Sequence, residues 1–239
     1  MIMSNFLLVH GAWAGGWSWE KVVPLLEQNG HIVKAPDLPG HGMDKTPLSE
    51  VNLQAYTEKV CQVLDEFDDQ VILVGHSMGG IVISQVAEEL PQKVNKLVYL
   101  AAYLLQNGET IMQVFGNDKG SLLGPNLVMA EDQSYATLKE EGIKEVIYPD
   151  ASDEDKERIK ERVVPQATMP FATPVNITEE NYGNIPRIYV ECLKDLVITP
   201  EAQKEMYRNM PCEKVLTIEA SHTPNYGVPE KVVKHLLNC

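Results

Sequence analysis

The stretch from residue 71 to residue 83 constrains the fold of this chain more than any other. It opens with the apolar, largely β-branched run Val71-Ile72-Leu73-Val74, which is typical of a strand buried on both faces of a parallel sheet. Gly75-His76-Ser77-Met78-Gly79 follows and fits the pattern G-x-S-x-G. A buried helix is predicted from Gly80 to Leu90, where Pro91 ends it. A strand, a glycine-flanked serine and a helix in this order predict a nucleophile elbow.

Steric crowding explains the two glycines of this pattern. A serine at the tip of a strand-to-helix turn has a strained backbone, and side chains at Gly75 and Gly79 would collide across the turn. The hydroxyl of Ser77 is then exposed at the positive end of the next helix, where the N–H of Met78 can face an oxyanion. The alternative is a glycine-rich turn of a nucleotide-binding fold, but the chain contains neither G-x-G-x-x-G nor G-K-[ST].

Strand and helix signals alternate in both terminal parts of the chain. Strands are predicted at 6–9, 32–35, 71–74, 96–100, 187–191 and 215–218, and helices at 17–29, 53–67, 80–90, from about 200 and at 229–237. This alternation predicts an α/β fold with a doubly wound, mainly parallel sheet of about six strands.

The middle of the chain lacks this alternation. We expect residues 1–106 and 186–239 to form the core, and residues 107–185 to form a helical lid inserted over the site. One helix start is clear within the lid, because Ser152 is a good capping residue and acids follow it at 153–155.

The partners of the serine are predicted from chain order. An activated serine needs a base within hydrogen-bond reach and an acid that orients the base, and in an open α/β sheet both come from loops at the carboxyl ends of other strands. Asp195 follows the strand that ends at Glu191, and His222 follows the strand that ends at Ile218. The order Ser77, Asp195, His222 is the one expected of elbow enzymes, so we expect these three residues to be catalytic.

Other residues compete for these roles. Glu191 and Glu109 are alternatives to Asp195 as the acid, since both lie after or at the end of a predicted strand. The remaining histidines are assigned to packing or to support of the site, namely His10, His31, His41, His76 and His235.

A second oxyanion donor is predicted directly after the first strand. The dipeptide His10-Gly11 opens the backbone there, so that the N–H of Ala12 can join that of Met78 in an oxyanion hole. Substrate-binding candidates lie beside this loop and in the lid, namely Gly11, Trp13, Phe115, Tyr148 and Phe171, with Met112 and Met169 as further apolar residues of the pocket. The alternative for each lid residue is packing within the lid's own core.

Composition limits the partners. The net charge of −14 argues against nucleic acid and anionic membranes, because phosphate binding needs a positive surface. No segment has the length of a membrane-spanning helix and the N-terminus lacks a basic region, so we expect a cytoplasmic protein. The four cysteines form no C-x-x-C pair, which favours reduced thiols and no metal.

These motifs together resemble the α/β-hydrolase superfamily, and within it the group of plant methylesterases, hydroxynitrile lyases and their bacterial esterase relatives. The segments that carry the resemblance are Leu8 to Trp13, Gly30 to Val33, Val71 to Gly80 and Tyr182 to Val190, together with Asp195 and His222. The resemblance implies a triad of Ser77, Asp195 and His222, no cofactor, and a possible homodimer.

Two positions depart from the lyases of this group. Those enzymes have a lysine directly after the catalytic histidine, where this chain has Thr223, and a threonine at the position of Gly11. The segment Thr223-Pro224-Asn225-Tyr226 also differs from the plant esterases, which suggests a bacterial-type relative.

We therefore expect hydrolysis of small carboxylic esters through an acyl-enzyme on Ser77. A lyase-like enzyme with the same triad and a catalytically weak ligand-binding receptor are the alternatives.

Overall fold

A computed structural model describes residues 3–239 of the chain, in which strands and helices alternate at both ends. The strands are β1 Asn5–Val9, β2 Ile32–Lys34, β3 Val71–His76, β4 Val94–Leu100, β5 Leu127–Met129, β6 Tyr135–Leu138, β7 Gln166–Ala167, β8 Arg187–Cys192 and β9 Lys214–Ile218. The α-helices are α1 Val23–Gln28, α2 Leu53–Leu64, α3 Gly79–Glu89, α4 Ile111–Asn117, α5 Asp153–Arg162, α6 Met169–Ala172, α7 Pro200–Asn209, α8 Pro224–Gly227 and α9 Pro229–Leu236. Within residues 3–239, none of the helices is both long enough and apolar enough to cross a bilayer.

Six strands form one parallel sheet in the order β2-β1-β3-β4-β8-β9. The apolar strand β3 lies inside this sheet, between β1 and β4, and Gly75 is in register with Val9 on one side and Tyr99 on the other. The predicted fold class, an α/β fold with a mainly parallel sheet of about six strands, is confirmed. Because all six strands run in the same direction, the loops after them meet at one edge of the sheet.

Alternate residues of each strand enter two separate cores, one on each face of the sheet. On β1, Leu7 and Val9 belong to the core that contains α2 and α3, whereas Phe6 and Leu8 belong to the core that contains α1 and α9. The same alternation holds along β3. A strand that is apolar at every position is therefore buried on both faces, as a doubly wound sheet requires.

One predicted helix is broken in two. The helix expected over 17–29 is a 3-10 helix at Gly16–Trp19 followed by α1 at Val23–Gln28. Pro24 lies in the first turn of α1, where its missing N–H would have no partner within the helix in any case. The proline therefore begins a helix instead of interrupting one. Gly30 follows α1 with a φ of +84°, as expected of a residue that ends a helix.

Residues 107–185, between β4 and β8, form a segment (the insertion) that is only partly helical. It contains α4, α5, α6, a π-helix at Gly142–Ile147 and an antiparallel sheet of β5, β6 and β7. The helix start at Ser152 is present, since the hydroxyl of Ser152 accepts a hydrogen bond from the N–H of Asp155. The three strands are absent from the sequence prediction because runs of two to four residues carry almost no periodic signal.

The insertion is tied to loops at the carboxyl edge of the parallel sheet. Trp13, after β1, donates from Nε1 to the carbonyl oxygen of Ala136 in β6, at 2.9 Å. Thr223, after β9, donates from its hydroxyl to the carbonyl oxygen of Ile147, at 2.7 Å. The insertion therefore covers the edge of the sheet where parallel α/β proteins place their sites.

Helix α3 approaches the chain after β4 closely enough to exclude a side chain at Gly80. A Cβ at this position would lie 2.3 Å from the carbonyl oxygen of Tyr103. We expect Gly80→Ala to lower the free energy of unfolding by about 1–3 kcal/mol, because overpacking forces the backbone to shift. Gly116→Ala in α4 is the matched control. A Cβ there meets nothing within 4 Å, so this change should raise the free energy of unfolding by up to about 1 kcal/mol.

Urea unfolding of both variants and the native protein measures the difference. Equal free energies of unfolding for the two alanine variants would contradict the close approach of α3.

Candidate active site

Ser77 lies in the turn between β3 and α3 with a strained backbone. Its φ is +53°, in the left-handed region that residues other than glycine rarely adopt. The turn is tight, since a Cβ at Gly75 would lie 2.6 Å from the carbonyl oxygen of Gly79. The N–H of Ser77 donates to the carbonyl of Leu100 at 3.3 Å, and its carbonyl accepts from the N–H of Tyr103 at 3.1 Å. These bonds hold the strained residue against the chain after β4.

Two hydrogen bonds join Ser77, His222 and Asp195 in a row. The Oγ of Ser77 lies 3.0 Å from Nε2 of His222, and Oδ2 of Asp195 lies 2.8 Å from Nδ1 of the same ring. A carboxylate only accepts, so Nδ1 carries a proton and Nε2 is free to accept the proton of the serine. All three side chains are buried. The structure thus brings together three residues that lie on separate loops and far apart in the sequence.

The two competing acids are engaged elsewhere. Glu191 accepts a hydrogen bond from the hydroxyl of Tyr207 at 3.4 Å. Glu109 accepts one from the backbone N–H of Gln106 at 2.8 Å. The Nδ1 proton of the imidazole is directed to Asp195 instead.

His76 supports the loop that carries His222. Its Nε2 lies 2.8 Å from the backbone carbonyl oxygen of His222, so this nitrogen carries the proton and donates it. The two imidazole rings lie 4.9 Å apart. Burial, reinforced by repulsion from His222, lowers the pKa of His76 to about 3. His76 is therefore a neutral hydrogen-bond donor at any pH near neutrality.

Two further histidines connect the loops after β1 and β2. His10 donates from Nδ1 to the carbonyl of Gly11 at 2.8 Å and accepts at Nε2 from the N–H of Leu38 at 3.1 Å. Nε2 of His41 lies 2.9 Å from the side-chain oxygen of Gln166 in β7, and Nδ1 lies 3.1 Å from the carbonyl oxygen of Pro39. Burial lowers the pKa of both histidines.

Within residues 3–239, no group of three or more His, Cys, Asp or Glu side chains is arranged to hold a metal ion.

A small pocket lies over Ser77. Its volume is about 10 Å³, which is room for no more than one water molecule. Trp13, Ile147, Tyr148 and Val197 form its apolar walls. A molecule larger than water fits beside Ser77 only if one of these walls moves.

The predicted substrate-binding residues fall into two sets. Three line this pocket, namely Gly11, Trp13 and Tyr148. The other four insertion candidates lie outside its lining, namely Met112, Phe115, Met169 and Phe171. Phe171 packs edge-to-face on Trp13 with ring centroids 6.0 Å apart, so it supports the wall from behind. Met112 and Met169 are exposed to solvent.

Four residues around the site were not predicted. Ala14, Ile147 and Val197 line the pocket, and Nε2 of Gln203 lies 3.1 Å from Oδ2 of Asp195. The sequence could have indicated Val197, because this residue follows Asp195 by two positions. It could also have indicated Gln203, since this is a polar residue on the buried face of α7. It could not have indicated Ile147, because this is one apolar residue among many in the insertion.

The predicted oxyanion donors flank the serine in the structure. Ala12 borders the pocket on the side of β1, and Met78 directly follows Ser77 at the start of α3. Among the groups of residues 3–239, no hydrogen-bond acceptor is found for the N–H of Ala12 or of Met78. Free backbone N–H groups beside the N-terminus of a helix are available to an anion.

The low pKa of His76 makes the fold sensitive to acid. The unfolded chain protonates this residue near its ordinary pKa of 6.5, whereas the folded protein does so only near pH 3. The free energy of unfolding therefore falls as the pH decreases through this window. Glutamine can donate the same hydrogen bond to His222 without titrating. When the pH is lowered from 7 to 4, we expect the free energy of unfolding of His76→Gln to fall by about 2–3 kcal/mol less than that of the native protein.

Chemical denaturation of both proteins at the two pH values measures this difference. An equal loss in the variant and the native protein would contradict a neutral, buried His76.

Known proteins with similar sequences and structures identify the family. The sequence model described as "Alpha/beta hydrolase family" matches residues 6–235. A pyrethroid hydrolase of Sphingobium wenxiniae is 35% identical over 243 residues, which cover 98% of this chain and 86% of that protein. Methylesterase 9 of Arabidopsis thaliana is 30% identical over 249 residues, which cover 98% of this chain and 97% of that protein.

A solved structure agrees with these sequence matches. The crystal structure of a pyrethroid hydrolase from Sphingobium faniae superimposes with a TM-score of 0.88 at 32% identity, over 99% of this chain and 97% of that chain. The resemblance to plant methylesterases and bacterial esterases is thus confirmed. The family match spans nearly the whole chain, and the chain therefore belongs to the alpha/beta hydrolase family.

Proposed function

We propose that this protein is a serine hydrolase that cleaves small carboxylic esters through an acyl-enzyme on Ser77. The observation that carries the proposal is the row of hydrogen bonds from Ser77 through His222 to Asp195, at 3.0 and 2.8 Å. A buried hydroxyl, imidazole and carboxylate in this arrangement form an activated nucleophile. The family assignment and the esterase relatives support the same reaction.

In the first half of the reaction, Oγ of Ser77 attacks the ester carbonyl carbon while Nε2 of His222 takes the serine proton. The carbonyl oxygen becomes an oxyanion, which the N–H groups of Ala12 and Met78 bind. The loss of one such donor typically costs about 3 kcal/mol of transition-state stabilisation. Asp195 keeps the proton on Nδ1 and stabilises the imidazolium.

The second half returns the enzyme to its starting state. His222 gives its proton to the alcohol oxygen, the ester C–O bond breaks, and the acyl group remains on Ser77. A water molecule then attacks the acyl carbon while His222 takes one of its protons. This proton passes to Oγ of Ser77 as the acyl–serine bond breaks, so that ester and water yield acid and alcohol.

The insertion, residues 107–185, is proposed to act as a lid over a core of residues 1–106 and 186–239. Ile147 and Tyr148, two of the large apolar side chains that line the pocket, belong to the insertion. A volume of about 10 Å³ is too small for an ester, so substrate entry requires these walls to move.

The pocket favours neutral esters with a short acyl chain. Apolar walls at Trp13, Tyr148 and Val197 match apolar acyl and alcohol groups, and a longer chain requires these walls to move further. One relative is a pyrethroid hydrolase and another is a methylesterase, so pyrethroids and methyl esters are the first compounds to assay.

Hydroxynitrile lyase chemistry is disfavoured at two positions. Thr223 replaces the lysine of the lyases, and its hydroxyl is used by the carbonyl of Ile147 at 2.7 Å. Gly11 replaces their threonine, and a Cβ at this position would lie 2.9 Å from the Cβ of Ser77. Both positions argue against cyanohydrin cleavage.

Replacement of the nucleophile tests the proposed function. We expect Ser77→Ala to lower kcat for p-nitrophenyl acetate by about 10³- to 10⁶-fold with the fold intact, because the attacking oxygen is lost. Ser49→Ala, at an exposed position, is the control and should keep the native rate. A serine-directed phosphonate should add one adduct to the native protein and to the control, but none to Ser77→Ala.

Steady multiple turnover by the native protein distinguishes an enzyme from a receptor that only binds the ester. Native turnover in Ser77→Ala would refute the assignment.

Tyr148 is expected to limit acyl length. The native protein should prefer p-nitrophenyl acetate or butyrate to laurate, because the pocket is small. Tyr148→Ala removes one wall and should raise the laurate-to-butyrate ratio of kcat/KM by about tenfold or more. Tyr135→Ala, in β6 and outside the pocket lining, should leave the ratio unchanged. A native preference for long chains would contradict the small pocket and indicate a lipase-like site.

A further inference from the structure

Gln203 is a fully buried polar side chain beside the acid of the triad. It lies on α7, eight residues after Asp195, with 0% of its surface exposed. Its Oε1 accepts from the N–H of Cys192 at 3.0 Å. Its Nε2 donates to the carbonyl of Ile198 at 2.7 Å and to Oδ2 of Asp195 at 3.1 Å, with a longer contact of 3.3 Å to the carbonyl of Cys192. One amide thus holds both ends of the loop that carries the acid, and the carboxylate itself.

Asp195 shares one oxygen between Gln203 and the catalytic base. Its Oδ2 lies 2.8 Å from Nδ1 of His222 and 3.1 Å from Nε2 of Gln203. Its Oδ1 accepts from the backbone N–H of Val197 at 2.7 Å and of Ile198 at 3.0 Å. Because both oxygens are anchored, the carboxylate cannot rotate, and Oδ2 stays aimed at the imidazole.

We propose that Gln203 is a positioning residue of the reaction, which fixes the orientation of Asp195 and through it the tautomer and orientation of His222. The inference rests on the proposed function, since it matters only if these residues perform the chemistry. A neutral amide suits this place because it offers a donor to the carboxylate and an acceptor to a backbone N–H at the same time. A hydrocarbon would leave several buried polar groups without partners.

The insertion holds the same loop from the other side without touching the carboxylate. The hydroxyl of Ser121 donates to the carbonyl of Val197 at 2.7 Å. Asp118 accepts from the hydroxyl and the N–H of Thr199 at 2.7 and 2.9 Å. Ser121→Ala is therefore a matched control, because it loosens the loop but leaves the side chain of the acid and its hydrogen bonds in place.

Replacement of Gln203 by glutamate makes the hydrogen bond to Asp195 depend on pH. A glutamic acid at 203 has the shape of the glutamine, and its O–H can donate to Asp195 while it is protonated. The neighbouring carboxylate and burial raise the pKa of such a group, so it is protonated in the lower pH range and ionised in the higher one. Once it is ionised, the hydrogen bond is replaced by repulsion between two carboxylates.

Other titratable groups near Asp195 do not interfere. Besides His222 and the acidic groups Asp118 and Glu191, three neighbours of Asp195 can titrate, namely Tyr103, Tyr189 and Cys192, and burial raises the pKa of each of the three. They are therefore uncharged between pH 6 and pH 9. Because these three groups stay uncharged in this range, comparison of Gln203→Glu with Ser121→Ala separates the effect of the new carboxyl group from that of a loosened loop.

The experiment measures kcat and KM of the full chain for p-nitrophenyl butyrate from pH 6 to pH 9. For Gln203→Glu, we expect kcat/KM relative to the native protein to fall about tenfold or more as the pH rises. For Gln203→Met, which cannot donate at any pH, we expect kcat to be lowered about 10- to 100-fold at every pH, with KM changed less than twofold. Ser121→Ala should show a ratio to native that does not depend on pH.

Melting temperatures at each pH establish that the variants remain folded. If Gln203→Met does not fold, the pH dependence of Gln203→Glu decides the question. A ratio independent of pH for Gln203→Glu would overturn the positioning role, as would native kcat in a folded Gln203→Met. Failure of the proposed function has a different signature, namely turnover that survives Ser77→Ala.

Discussion

The strained turn at Ser77 is the constraint on which the rest of the site depends. A residue with a φ of +53° persists only where its surroundings stabilise that conformation more than the strain disfavours it. The surroundings here are a buried strand within the sheet, a helix packed against the chain after β4, and hydrogen bonds from the backbone of Ser77 to Leu100 and Tyr103. Packing in the two cores offsets the cost of the strained conformation. In this conformation the hydroxyl of Ser77 lies above the edge of the sheet.

Each of the two partner loops is held from two sides. Within the core, His76 donates to the backbone of His222, and Gln203 donates to the carboxylate of Asp195. From the insertion, the carbonyl of Ile147 accepts from Thr223, the residue after His222, and Ser121 donates to the loop of Asp195. The insertion therefore contributes to the geometry of the triad as well as to the walls of the pocket. A movement that admits substrate has to open the walls while these loops keep their positions.

Burial also determines the charges around the reaction. Low pKa values keep His10, His41 and His76 uncharged at neutral pH. In the proposed reaction, the imidazolium on His222 therefore faces no cationic imidazole, and the carboxylate of Asp195 is hydrogen-bonded directly to it. In a site with little water, one well-placed opposite charge has a large effect, and a nearby cation would oppose the reaction.

Local patterns in the sequence determined the fold class and the candidate residues. Hydrophobic runs with flanking glycines placed the strands of the sheet to within two residues, and G-x-S-x-G with the chain order Ser77, Asp195, His222 singled out the three residues that the structure joins. Only the tertiary structure decided which carboxylate faces the imidazole, which insertion residues wall the pocket, and that Gln203 lies against the acid. Periodicity and spacing report on neighbours along the chain, whereas these contacts depend on how loops separated by tens of residues pack against one another.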